Sequence, residues 1–179
     1  MYGFVSRAGD KLQFAIDNFD LSVKDLVCAD FGSSTGGFVD CLLRNGAKKV
    51  YAVETGYGTL DWKLRNNPKV VVMERTNAMH VTLPEKVDFI SIDVGWTKQK
   101  AILPNAFVNL KHDGKIVSLI KPHYEAGKAR LKVGEVEQIV KKVEKEIEEV
   151  GGNVVQLIES PILGEKGKNR EFLALISSS

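Results

Sequence analysis

Apolar residues recur along the chain in two patterns, one with helical spacing and one of short continuous runs. Leu12, Ala15, Ile16 and Phe19 lie three and four residues apart, which predicts an amphipathic helix with Ser6 as its N-cap. Short apolar runs then predict strands that alternate with helices. In order, the further elements predicted are strand 26–31, helix 37–44, strand 49–53, helix 59–65, strands 69–73 and 87–92, helix 100–110, strand 114–120, helix 136–150, and strands 154–159 and 171–176.

This alternation predicts a doubly wound α/β fold with a Rossmann-like sheet of about seven strands, in a single domain over residues 1–179. In such sheets ligands bind beyond the carboxyl ends of the parallel strands. The last two strands are joined by about ten residues, too few for a helical crossover, so we expect them to be antiparallel. The residues expected to converge on one site are therefore Glu171 and those that follow Phe31, Val53, Met73, Ile92 and Ile120.

The composition is that of one globular domain. Of 179 residues, 44% are hydrophobic and 27% charged, and the formal net charge is +2, which excludes a polybasic nucleic-acid-binding arm. No apolar run approaches the roughly 20 residues of a membrane span, and no signal-peptide pattern is seen, so we expect a cytoplasmic protein. Cys28 and Cys41 suit buried thiols, and the histidines lack ligand spacing, so we expect no metal site.

A glycine-rich stretch, 30–38, lies between a predicted strand and a predicted helix. Its spacing matches neither a dinucleotide fingerprint nor a P-loop, but its glycines and helix N-terminus suit close approach of a ligand. Glu54 closes the next strand, where a carboxylate can bind ribose hydroxyls. We expect an adenosine-type ligand, with S-adenosylmethionine favoured by the early acid Asp30; a plain turn with a solvated Glu54 is the alternative. The expected cofactor residues are Asp30, Gly32, Ser33, Ser34, Thr35, Gly36, Gly37, Phe38 and Glu54.

Two charged residues follow later strands. Asp93 follows the fourth strand, and the sequence after it lacks the Asp/Asn-Pro-Pro-Tyr/Phe pattern of enzymes that methylate base amines. Lys121 follows the fifth, where partial desolvation would favour the neutral amine that a general base requires. Solvated strand-end side chains are the alternative for both.

Basic residues recur in the segments expected near this edge, whereas residues 135–150 hold six Glu and only three Lys. A local basic side is thus hidden within a nearly neutral total. Any nucleic-acid contact, one to RNA included, is expected through Arg7, Lys128, Arg130, Lys132, Lys166, Lys168 and Arg170.

Several longer motifs occur in order along nearly the whole chain. They are Val5 to Leu12, Gly32 to Leu43, Tyr51 to Arg65, Glu74 to Asn77, Ile120 to Gly127 and Asn169 to Leu173. With these motifs the sequence resembles the TlyA family, a branch of the FtsJ-like RNA ribose 2′-O-methyltransferases.

The resemblance implies S-adenosylmethionine-dependent methylation of a ribose 2′-hydroxyl in ribosomal RNA, with cytidine as the nucleoside. It implies a catalytic set of Lys11, Asp93, Lys121 and Glu171, of which Lys11 is supplied by the resemblance alone. Lys121 would take the hydroxyl proton, Asp93 would orient it, and the other two would hold the ribose. Asp93, Thr76 and Asn77 join the expected cofactor residues.

The chain differs from the family in two ways. Members usually begin with a small RNA-binding domain, and this chain starts where the methyltransferase domain is expected. From the net charge of +2 we expect this domain to bind RNA weakly, with a shallow salt dependence. At 93–96 it reads Asp-Val-Gly-Trp, where members more often have Ser and Phe. Members also carry the name haemolysin, but without a membrane-length apolar segment pore formation is not expected.

Two alternatives to ribosomal RNA methylation stay open. The protein is then either a small-molecule O-methyltransferase or a non-catalytic RNA-binding or haemolysin-like protein.

Overall fold

A computed structural model describes residues 3–132, 134–164 and 169–178. The helices are α1 (Ala8–Asn18), α2 (Gly37–Arg44), α3 (Trp62–Arg65), α4 (Gln99–Asn109), α5 (Pro122–Glu125) and α6 (Glu135–Glu149). The strands are β1 (Val27–Phe31), β2 (Lys49–Val53), β3 (Val70–Met73), β4 (Val87–Ile92), β5 (Leu110–Ile120), β6 (Gly152–Glu159) and β7 (Phe172–Ser178).

These strands form one twisted sheet in the order β3-β2-β1-β4-β5-β7-β6. Strands β1 to β5 pair in parallel, whereas β7 runs antiparallel to both β5 and β6. Phe31 is in register with Val53 on one side and with Ile92 on the other, so the carboxyl ends of the central strands are level. The predicted doubly wound α/β fold, with its antiparallel last pair, is confirmed.

Apolar side chains cover both faces of the sheet. On one face α1 and α2 pack Leu12, Ile16 and Leu42 into a core, and on the other α4 and α6 contribute Ile102 and Ile147. The helical spacing that predicted α1 is the spacing of its buried side chains. Each such side chain contributes roughly 1.5–3 kcal/mol when fully buried, so the sheet holds its helices chiefly through these two cores.

Some local predictions were wrong at element ends. Arg7, not Ser6, occupies the N-cap of α1, and its side chain makes no capping bond. The third helix is only one turn long because Asp61 caps it, its side chain accepting a hydrogen bond from the Lys63 amide. Strand β5 begins at Leu110, and the short helix α5 was not predicted. Cys28 and Cys41 are buried free thiols, as expected, and burial raises the pKa of both.

Candidate active site

A cavity of about 730 Å³ opens at the carboxyl ends of the central strands. Such a volume suits a small-molecule or cofactor ligand. Nearly all of the residues expected at the site lie along its wall. Those that line it are Lys11, Asp30, Gly32, Ser33, Ser34, Thr35, Gly37, Phe38, Glu54, Thr76, Asn77, Asp93, Lys121 and Glu171.

Two glycines shape the loop between β1 and α2. Gly32 has a φ of 87°, and a Cβ there would lie 2.4 Å from the main-chain oxygen of Asp93. Gly36 has a φ of 100° and faces Leu60 and Leu64 rather than the cavity, where a Cβ would lie 2.4 Å from the Leu64 Cδ1 atom. Only glycine fits both positions, because the backbone is left-handed and the space is filled. The loop is therefore pressed against the segment that follows β4.

Glu54 is held at the edge of this loop by main-chain donors. Its Oε2 accepts a hydrogen bond from the Ser34 amide at 2.9 Å, and its Oε1 accepts one from the Gly56 amide at 2.8 Å. Oε1 also accepts a hydrogen bond from the Thr55 hydroxyl at 3.1 Å, so Oε2 is the oxygen that keeps a further lone pair. The group is thus fixed in orientation and still able to accept from a ligand hydroxyl.

Asp30 is the most deeply buried carboxyl group on the cavity wall, with 1% of its surface exposed. Its Oδ1 accepts a hydrogen bond from the Ser91 hydroxyl at 2.7 Å, and its Oδ2 has no hydrogen-bond partner among the described residues. Burial, chiefly, raises the pKa of Asp30 to about 8. A buried carboxyl group without a full set of partners suits a cationic ligand group, which would both pair with it and favour its charged form.

Two lysine–carboxylate pairs also line the cavity. Lys121 Nζ lies 2.5 Å from Asp93 Oδ1 and donates to the Val94 carbonyl at 3.2 Å. Lys11, from α1, lies 2.6 Å from Glu171 Oε2, and both of these side chains are buried. Asp93 follows β4, Lys121 follows the neighbouring β5, and Glu171 precedes β7, which pairs with β5, so all three stand at the same edge of the sheet. Lys11 meets Glu171 because α1 packs beside β7, which sequence periodicity alone does not indicate.

Three aromatic side chains near Lys121 were not predicted as site residues. His123 and Tyr124 line the cavity from α5, and Tyr124 stacks on Trp96 with ring centroids 4.2 Å apart. His123 is buried, and desolvation lowers its pKa. The sequence feature that could have identified them as site residues is their position within three residues of Asp93 or Lys121.

The expected RNA-contacting residues differ in how free their charges are. Arg7, Arg130 and Lys132 are exposed, and Arg7 also lines the cavity. Lys128 pairs with Glu135 at 2.8 Å, and Arg170 pairs with Glu137 at 2.6 Å and with Glu159 at 2.8 Å. Lys166 and Lys168 lie outside the described residues.

Within the described ranges, no three His, Cys, Asp or Glu side chains cluster as ligands for a metal ion. The helices in those same ranges are all too short or too polar to cross a membrane.

Comparison with known proteins adds a family to this geometry. The family model described as FtsJ-like methyltransferase matches residues 4–176. The "16S/23S rRNA (cytidine-2′-O)-methyltransferase TlyA" of Mycobacterium tuberculosis is 38% identical over 183 residues, which cover 96% of this chain and 68% of that protein.

Two further similarities bear on length and fold. The Bacillus subtilis protein YqxC, named as a candidate rRNA methyltransferase, is 47% identical over 132 residues. That match covers 70% of this chain and 46% of YqxC, so the matched segment spans less than half the length of that relative. The structure of a candidate hemolysin from Streptococcus thermophilus superposes with a TM-score of 0.93 at 38% identity, covering 100% of this chain and 68% of the other.

Proposed function

The chain belongs to the FtsJ-like methyltransferase family, and from that premise we propose that it transfers the methyl group of S-adenosylmethionine to a ribose 2′-hydroxyl of ribosomal RNA. The proposal treats residues 1–179 as one methyltransferase domain and takes cytidine as the nucleoside, as in the name of the Mycobacterium tuberculosis relative. The observation that carries it is a single cavity lined both by two lysine–carboxylate pairs and by a glycine-rich loop.

One wall of the cavity fits the cofactor. The unpartnered Oδ2 of Asp30 suits the ammonium of the methionine end, and the fixed carboxylate of Glu54 suits the ribose hydroxyls. Gly32 lets the loop pack against the Asp93 carbonyl at the edge of the cavity. The remaining proposed cofactor residues are Ser33, Ser34, Thr35, Gly36, Gly37, Phe38, Thr76, Asn77 and Asp93.

The two lysine–carboxylate pairs fit proton transfer and substrate orientation. When bound, S-adenosylmethionine supplies an electrophilic methyl group on a sulfonium. Lys121 acts as the neutral amine and takes the proton of the 2′-hydroxyl on its Nζ as the oxygen attacks, and Asp93, already in contact with that Nζ, stabilises the ammonium that forms. Lys11 and Glu171 hold the ribose from their shared ion pair. Alignment of two bound reactants can contribute roughly 7–11 kcal/mol, so orientation is a large share of the catalysis.

The deciding experiment supplies radiolabelled S-adenosylmethionine with intact ribosomal subunits, naked ribosomal RNA and small phenols, and maps the product. We expect label on a 2′-oxygen of ribosomal RNA. The Lys121→Ala variant should lose at least about 100-fold in rate, since general-base catalysis is typically worth that much. Lys86→Ala is the control, because Lys86 precedes β4 at the opposite end of the strand.

Three results would contradict the proposal. Label on phenols but not on RNA would indicate a small-molecule O-methyltransferase. Absence of S-adenosylmethionine binding in calorimetry would favour a non-catalytic RNA-binding or haemolysin-like protein. A normal rate in the Lys121→Ala variant would refute the assignment of Lys121 as the base.

A further inference from the structure

Glu125 caps a helix that belongs to a different part of the chain. It lies on α5, four residues after Lys121, and only 7% of its surface is exposed. Its Oε1 accepts a hydrogen bond of 2.9 Å from the main-chain amide of Gln99, the first residue of α4. The N-cap residue of α4, Lys98, makes no side-chain capping bond. The amino end of α4 is thus capped from α5, where a free amide would otherwise be left without a partner.

This contact joins the two segments that carry the proposed proton-transfer pair. Asp93 stands at the start of the loop that leads into α4, and Lys121 stands directly before α5. The two meet at 2.5 Å between Lys121 Nζ and Asp93 Oδ1. Trp96 from the first segment and Tyr124 from the second stack on each other. A change in the spacing of the segments would therefore change the position of the base relative to its carboxylate.

The segment after β4 needs such support. Trp96 has a φ of 58°, a left-handed conformation that costs a bulky residue energy of order 1 kcal/mol or more. The Gln99 side chain ties the start of α4 to β5, because its Oε1 accepts a hydrogen bond from the Ser118 hydroxyl at 2.7 Å. Gln99 and Ser118 are both buried. Glu125 thus completes a buried polar connection from β5 through α4 to α5.

We propose that Glu125 is a positioning residue, which sets the distance between Lys121 and Asp93 by holding the start of α4 against α5. The inference rests on the proposed methyl transfer. For this role Glu125 needs the oxygen that accepts the hydrogen bond from the Gln99 amide, and it does not need a negative charge. Burial raises the pKa of Glu125, and its Oε2 has no hydrogen-bond partner in the described part of the chain, so a neutral side chain suits the position.

The kinetic test compares three variants at saturating S-adenosylmethionine and RNA. Glu125→Ala should lower kcat by about 10- to 100-fold, the effect of a displacement on the order of 1 Å at a reacting group, with the Kd of S-adenosylmethionine unchanged. Glu125→Gln, which keeps the acceptor for the Gln99 amide, should restore kcat to within about 3-fold of wild type. Asp88→Ala is the control, because the Asp88 carboxylate also accepts from a main-chain amide, that of Val27 at 2.9 Å, but lies near the start of β4, at the opposite end of that strand from Asp93.

A second readout does not depend on activity. In a Trp62→Phe background Trp96 is the only tryptophan, since the chain has two, and Trp62 is 74% exposed on α3. Trp96 is 64% exposed, so adding Glu125→Ala should increase acrylamide quenching of Trp96 by up to about 1.5-fold as the stack with Tyr124 opens, whereas Glu125→Gln should not. Should Glu125→Ala fail to fold, Glu125→Asp, which draws the oxygen away from Gln99, serves in both assays with the same expected direction.

Unchanged kcat and quenching in Glu125→Ala would overturn the inference, as would a Glu125→Gln variant as slow as Glu125→Ala. If wild-type protein transfers no methyl group to RNA, the proposed function fails, and the quenching arm still reports whether Glu125 holds the two segments together.

Discussion

At the scale of single residues, Asp30 links ligand binding to folding stability through one proton. Its native pKa is raised, mainly by burial, from 3.8 to about 8. Between these values the native state keeps a proton that the unfolded state has released. The unfolded state then binds fewer protons, so the free energy of unfolding falls as pH rises through this window.

The Asp30→Asn variant should lack this pH dependence. As pH rises from 5 to 8, we expect the unfolding free energy of the variant minus that of wild type to increase by at most about 1.4 kcal/mol per pH unit. Urea unfolding of both proteins at several pH values, without ligand, provides the measurement. The variant should also bind S-adenosylmethionine more weakly, because an amide offers no charge to the ammonium. Stability curves that stay parallel across the window would show that Asp30 is already ionised in the native protein.

At the scale of elements, the β1–α2 loop depends on Gly32 for its contact with the segment after β4. Gly32→Ala combines a left-handed φ with a Cβ 2.4 Å from a main-chain oxygen, which cannot move as a side chain can. We expect a loss of about 2–4 kcal/mol in unfolding free energy and at least about 10-fold weaker S-adenosylmethionine binding.

Gly151→Ala is a closely matched control. Gly151 has the same φ of 87°, but a Cβ there would meet no atom within 4 Å. It should cost only the conformational term, roughly 1–2 kcal/mol, and leave ligand binding unchanged. Thermal unfolding and calorimetry on both variants separate the two effects. Equal losses would mean that backbone strain, and not the contact with the Asp93 carbonyl, explains the need for glycine.

Helices and strands could be predicted where residues close together in the sequence determine them. The bounds of α2, β2 and β4 follow from the apolar pattern, because each is a buried run that ends at a polar or glycine residue. The position of the start of β7 at the site follows from the short connection between β6 and β7. Helix α5 was missed because one turn has too few residues for a period, and its start is set by a proline and by tertiary contacts.

The site was predictable where topology places residues and not where packing does. Adjacent parallel strands bring Asp93 and Lys121 to the same edge of the sheet, because each residue directly follows its strand. The pairing of Lys11 with Glu171 joins residues 160 positions apart and depends on how α1 packs beside β7. The cap that Glu125 provides to α4 depends in the same way on the packing of α5, so no spacing in the sequence indicates it.

At the scale of the whole molecule, the basic side expected from the sequence is partly neutralised by α6. Lys128 pairs with Glu135, and Arg170 pairs with Glu137 on α6 and with Glu159 on β6. Each phosphate contact made by a free cation would add about 0.7–0.9 to the slope of log affinity against log salt. A cation already held by carboxylates contributes less, which agrees with the shallow salt dependence expected from a net charge of +2.

Releasing Arg170 should therefore raise RNA affinity and steepen its salt dependence. In the double variant Glu137→Gln and Glu159→Gln, we expect the slope for a labelled ribosomal RNA hairpin to increase by about 0.7–0.9, measured by fluorescence anisotropy across a salt series. The matched control, Glu148→Gln with Glu149→Gln, changes the net charge equally at the other end of α6. Adding Arg170→Gln to the first pair should abolish the gain. If both pairs of substitutions change the slope equally, net charge alone governs binding and Arg170 does not contact RNA.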